Sequence, residues 1–411
     1  MSRFRAMCDN RAVLATTSAS KNQRPAIPFE VTALIVAISE PVILARQLAA
    51  GTSVGFGGNW EQVSIARSLV AGHGFANPFS EYVTGPTAIC APLHPAMLAA
   101  ILLLSGDRPA FAIAALLAEA AIQVACLLLL LRISTIAFSS WIPGAVAAVA
   151  MLLCTRPSPQ WENATAWLAM EAIFLCVLAG CNAGWSGLVT GLGWLVSPAL
   201  VFASIAAAFF LRGWKHATAT TALAVLVVAP WVARNWSVFH SPIFLRDNYG
   251  LELFISNNDL AGPKQADVPE RYPLLHPSQN AAMAGDLVRL GEPQYFGRMQ
   301  RETVRWIQEH PAQFARLTFL RIWNWWFSNW IVAWVGVLGF AGLWMNRASP
   351  LGRAAAAILL LFPLPYYVVQ FDPRYAWPSL WLSALMAGYA CWAGVRRLRD
   401  TSQLRRETAV R

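Results

Sequence analysis

Glu61 opens a stretch in which Val63, Ile65, Ala66, Leu69 and Val70 keep the spacing of one helical face until Gly72 and Gly74 end it. A carboxylate at the start of a short surface helix is placed to act as a general base toward an incoming hydroxyl. The helix dipole favours an acid there in any case, so the residue type alone leaves both roles open. Three arginines complement it. Arg234 and Arg246 lie in PWVARNWSVFHSPIFLRDNYGLELFISNN at 230–258, and Arg374 lies in YYVVQFDPRYAWP at 366–378. A guanidinium at a membrane surface suits a lipid-linked phosphate, because its planar donors bind two oxygens at once. The competing roles are snorkelling to the headgroups for Arg234 and Arg246, and an ion pair with Asp372 for Arg374.

Around these sit further candidates. The stretch 77–95 is crowded with Pro and Gly and carries Glu81, Tyr82, Thr84, Thr87 and His94, which predicts an irregular but ordered loop. Glu81, Tyr82 and His94 there, with Glu162 and Tyr375 elsewhere, are possible substrate contacts. A lone histidine such as His94 also packs or hydrogen-bonds without touching substrate. No Asp-x-Asp pair occurs in the segments predicted to face outward, so a metal is not indicated, and no cofactor is called for.

The elements that hold these residues are set by composition. Of 411 residues 57% are hydrophobic and 13% charged, and the mean hydropathy is +0.46, too little polar surface to coat a soluble globule. An all-α polytopic membrane protein is expected. The net charge of +10 sits mostly in tails and short loops, where orientation in a bilayer accounts for it and no nucleic-acid partner is needed. The seven cysteines are scattered without metal-ligand spacing or a paired framework.

Apolar runs place candidate spans at 31–49, 109–131, 136–154, 164–181, 184–211, 217–233, 328–346, 354–370 and 376–395. Two basic tails on one side demand an even number, and Ser197-Pro198 breaks 184–211 midway, which gives about ten crossings. The chain then divides into a basic cytoplasmic tail at 1–26, a membrane domain at 27–395 and a second basic cytoplasmic tail at 396–411. The run after the first tail has no small-residue cleavage site, which predicts an uncleaved anchor. Two extracytoplasmic loops are expected, a structured one at 50–108 and a larger one at 234–327. The latter contains a mixed-charge helix at 292–313 and an aromatic-rich interfacial helix at 314–330.

Glu61, the helix end IARSLVAGHGF at 65–75, NPF at 77–79, GPTA at 85–88 and APLHP at 91–95 together resemble the first extracytoplasmic loop of the glycosyltransferase-C superfamily, in its bacterial protein mannosyltransferase-like and aminoarabinose transferase-like branch. The Pro-Trp-x-x-Arg-Asn segment and the Arg-Tyr pair at 374–375 are similar to two further motifs of those enzymes. The resemblance implies an inverting glycosyltransferase at the extracytoplasmic face of a bacterial inner membrane. It implies transfer of a hexosyl or pentosyl group from a polyprenyl-phosphate carrier to a glycan, lipid or protein acceptor of the cell envelope, lipopolysaccharide included. In that reading Glu61 is the catalytic base and Arg234, Arg246 and Arg374 hold the carrier phosphate. Many members carry an Asp a few residues earlier, where this chain has Gly58 and Asn59. Either Glu61 takes over that role, or one of Glu81, Glu162 and Asp107 does. The alternative from another class is a transporter or flippase of lipid-linked saccharides, for which Glu171, inside an apolar run, is the residue to watch.

Overall fold

A chain this apolar satisfies its backbone polar groups most readily within its own helices, and the described residues are helical with no strand among them. The computed structural model describes Ile38 and residues 60–107, 109–267 and 275–409. The predicted tail 1–26, all of the predicted span 31–49 except Ile38, and Gly58 and Asn59 lie outside them. In chain order the helices are α1 (Glu61–Val70), α2 (Leu93–Ser105), α3 (Ala110–Phe138), α4 (Ile142–Cys154), α5 (Asn163–Leu178), α6 (Ala183–Val196), α7 (Leu200–Arg212) and α8 (Trp214–Phe239). There follow α9 (Tyr249–Ser256), α10 (Ala281–Leu290), α11 (Glu292–Glu309), α12 (Pro311–Phe327), α13 (Trp330–Asn346), α14 (Pro350–Leu361), α15 (Leu364–Tyr367) and α16 (Trp377–Ala409).

Two hydrophobic bodies result. The larger is a bundle of α3 to α8 with α13, α14 and α16, centred on fully buried Trp167, Phe174, Trp194 and Trp381. Small residues let its helices close up: a side chain at Gly187 or Gly191 of α6 would strike Leu223 or Val227 of α8. The smaller body is made from the two polar segments. Ile65, Phe75, Phe79 and Ile89 of the first pack against Leu251, Ile255, Tyr295 and Phe296 of the second. Gly250 of α9 lies so close to the Phe296 carbonyl of α11 that a Cβ there would overlap it. Helix α1 joins the bodies, with Ile65 in the smaller core and Val63 and Ala66 packed on Leu98, Leu102 and Phe111.

Several boundaries depart from expectation. The break at Ser197-Pro198 is present and separates α6 from α7. Of the described helices, α3 and α8 are long and apolar enough to cross a membrane, and a third span arises if α12 and α13, bent by 85° at their junction, are counted as one. Helices α4, α5 and α7 are apolar but have 13, 16 and 13 residues. At 1.5 Å per residue they measure about 20–24 Å, short of the roughly 30 Å hydrocarbon core. The predicted helix 292–313 ends at Glu309, because Pro311 starts a new one. The apolar α2 falls inside the stretch 50–108 expected to be a loop. The last helix runs on without interruption from the apolar segment into the basic tail.

Candidate active site

The site is built where the two bodies meet. Glu61 occupies the first turn of α1, and its Oε1 lies 3.2 Å from Nε2 of His276. The amide of Ser278 can only donate, and it reaches His276 Nδ1 at 3.1 Å. Nε2 thus faces the Glu61 carboxylate. This backbone-to-histidine-to-carboxylate relay orients Glu61, whose side chain remains 17% exposed.

Glu162, the residue before α5, is engaged differently. Its Oε1 is 3.2 Å from Arg246 Nη1, and its Oε2 accepts from the Gln62 side-chain amide. Burial alone would raise the Glu162 carboxyl, but Arg246, a backbone amide, His94 and Gln62 outweigh it and hold the group below the ordinary carboxylate range. Burial opposes the charge of Arg246 too, yet Glu162 beside it leaves the guanidinium raised. His94 is buried, with Nε2 3.1 Å from the Pro159 carbonyl and Nδ1 3.1 Å from the Thr165 hydroxyl, so it braces the 155–162 turn that presents Glu162.

Arg374 closes the cluster. Its Nη2 donates to Gln265 Oε1 at 3.1 Å, its Nε lies 3.7 Å from Asp372, and its guanidinium sits 3.8 Å above the Trp161 ring. Asp372 also caps the short helical turn at Pro373–Ala376, so the ion pair foreseen as a competing role is present alongside the position in the cluster. Trp161 meets Trp60, and Tyr375 stacks on Tyr366, which makes one wall aromatic.

Glu252 of α9 ties these groups together, because its carboxyl feels Glu61, Arg246, His276 and Arg374 at once. Burial pushes it up, the charge of Glu61 pushes further, and the cations recover only part of the shift.

The structure thus brings together Glu61, Arg246, Arg374, Glu162, His94 and Tyr375 of the predicted residues. It sets Arg234 apart. That guanidinium donates 2.8 Å bonds to the carbonyls of Thr87 and Phe75 and lies among the Phe75, Trp231 and Phe239 rings, so it holds the first loop in place. Glu81 is exposed in the turn at 79–82, and Tyr82 packs half-buried on the smaller core. Glu252 and His276 were not among the predicted site residues. Glu252 lies in the Gly-Leu-Glu-Leu motif beside Arg246, which was a usable signal, whereas nothing in the spacing ties His276 to a residue 215 positions earlier.

A second polar cluster lies across the ribbon 87–90. Glu292 accepts from the Ala88 amide at 2.6 Å and from the Thr87 hydroxyl, and burial pushes its carboxyl up to about 8. Asp247, whose amide donates to the Ala88 carbonyl, is pushed up to about 6 by burial. On the other side of the ribbon Arg246 Nε donates to the Ile89 carbonyl. Cys90, buried in the ribbon, feels Arg246, Glu61, Glu162 and Glu292 together. No family model, curated protein or solved structure matches the chain.

Proposed function

We propose that the protein is an inverting glycosyltransferase that moves a sugar from a polyprenyl-phosphate carrier to a hydroxyl acceptor at the extracytoplasmic face of a membrane crossed about ten times. What supports the reading is one arrangement: a partly open carboxylate, oriented by a histidine, shares a cluster with two guanidiniums at the junction of an apolar bundle and a polar cap. Glu61 takes the proton of the acceptor hydroxyl as its oxygen bonds to the anomeric carbon. The bond from that carbon to the carrier phosphate breaks, and the phosphate leaves with the electron pair between Arg246 and Arg374. Arg234 bonds to the Thr87 and Phe75 carbonyls and to the Asn235 side chain, which favours a loop-holding role for it over phosphate binding.

The test is transfer by the reconstituted full-length chain from radiolabelled polyprenyl-phosphate sugars, with and without Glu61→Gln, alongside glycan profiles of cells lacking the protein. Loss of a general base lowers the rate about 10²- to 10⁴-fold while carrier binding persists. An unchanged rate removes Glu61 from the role, and an unchanged glycan profile removes the activity. A second reading, as a carrier of lipid-linked saccharides across the bilayer, rests on Glu171. This acid is fully buried in the bundle, where it accepts 2.7 Å from Trp167 Nε1 and its other oxygen has no partner among the described residues. That reading predicts that Glu171→Gln stops flux while Glu61→Gln does not.

A further inference from the structure

Past the C-terminal end of α8 lies a cavity of about 810 Å³, lined from three directions by turns and helix ends. The first wall is the loop tip at Thr84 and Pro86, made stiff because the Asn77 amide donates to the Gly85 carbonyl and the Asn77 side chain accepts from the Gly85 amide. The second is the end of α8, where His240 in the left-handed conformation turns the chain toward Ser241. The third is the corner between α10 and α11 at Gly291. The space is therefore formed before any ligand arrives, and its size is that of a small-molecule site.

The lining has a definite chemistry. Phe239, Leu287 and Val288 give apolar surface, Thr84, His240, Ser241 and Gln294 give hydrogen-bonding groups, and Glu292 adds a carboxyl that burial pushes up to about 8. The Thr84 hydroxyl is buried without a partner among the described residues. Arg301 is the permanent cation in the lining, and it makes none of the ion pairs among the described residues. One such cation beside a carboxyl and several hydrogen-bonding groups suits a neutral or singly charged ligand and not a polyphosphate. Apolar surface interleaved with neutral polar groups matches a pyranose, which offers C–H faces and hydroxyl edges. We infer that this cavity is a saccharide-binding site that holds sugar rings of the acceptor at a distance from the reacting atoms. Calling the saccharide an acceptor rests on the proposed transferase activity; the binding itself does not.

The two are separated by measuring binding and transfer on the full-length protein in nanodiscs. Saturation-transfer NMR with maltotriose, chitotriose and mannotriose should detect at least one bound trisaccharide, in the wild type and in Glu61→Gln alike. Val288→Trp, which fills the cavity from an exposed position, and Gln294→Ala, which removes an exposed amide, should each weaken that binding at least tenfold. In the transfer assay they should raise the acceptor KM and leave the KM for the carrier sugar unchanged. Failure of all three trisaccharides to bind overturns the inference, as does binding that both cavity variants leave intact, or a cavity that takes inorganic phosphate or glycerol phosphate instead. Saccharide binding without any transfer would leave this site standing and remove the proposed reaction.

Discussion

On the two faces of the ribbon 87–90 the same residue types do opposite work. On one face Glu61, Glu162, Arg246 and Arg374 meet mainly other side chains and stay partly exposed. On the other, Arg234 and Glu292 hydrogen-bond to the backbone of 75–88, the arginine to carbonyls and the acid to an amide. A charged group whose partners are other mobile charges can exchange them for a ligand at modest cost. One whose partners are buried backbone groups cannot, because each group left unpaired costs about 1–3 kcal/mol. In the proposed reaction the first face binds the carrier phosphate, while the second shapes the loop that borders it.

The same substitution on the two faces sharpens the contrast. Arg246→Lys keeps the charge and the pairing with Glu162 but loses the planar fork, so transfer should fall about 100-fold with the melting temperature little changed. Arg234→Lys cannot reach both the Thr87 and Phe75 carbonyls. It should lower stability by about 1–3 kcal/mol and open the 71–92 loop to limited proteolysis, with the rate falling only as the folded fraction falls. If Arg234→Lys instead left stability intact and abolished carrier binding, the division between the faces would be wrong. Gly250→Ala tests the frame that carries both. The added Cβ meets the Phe296 carbonyl, and overpacking of this kind costs about 1–3 kcal/mol. The loss should appear in thermal melting together with reduced activity, since α9 carries Glu252 on the binding face and packs on α11, which carries Glu292.

Why the sequence disclosed one face better than the other follows from these partners. Residue type and local spacing located α1, the helix break at Ser197-Pro198, and Glu61, Arg246 and Arg374, because each is marked by neighbours within a few positions. Arg234 carries an equally good local signal, yet its role is decided by carbonyls 147 and 159 positions away, which no local pattern encodes. The same holds for His276 on Glu61. Several of the predicted spans fall on apolar helices shorter than the hydrocarbon core, since apolar length reports burial and not whether lipid or protein covers the surface.

The smallest effect separates the faces by pH. Burial raises Glu292 from the ordinary 4.5 to about 8, so the folded chain holds a proton that the unfolded chain has released. Stability from this group therefore declines as pH rises through that window, by at most about 1.4 kcal/mol per unit. Asp247, raised to about 6, adds a slope of the same sign at lower pH. Glu292→Gln keeps an acceptor for the Ala88 amide and removes the titration, and its melting temperature should vary less than that of the wild type across the Glu292 window. On the binding face the sign reverses: Glu162, held below its ordinary range by Arg246 and its other partners, stabilises the fold above the unfolded carboxylate pKa and is lost as pH falls through its lower folded value. Glu162→Gln should therefore flatten the acid limb of the melting curve and leave the range above pH 6 untouched. Were the two variants to flatten the same limb, Glu292 and Glu162 would not lie in opposite electrostatic surroundings.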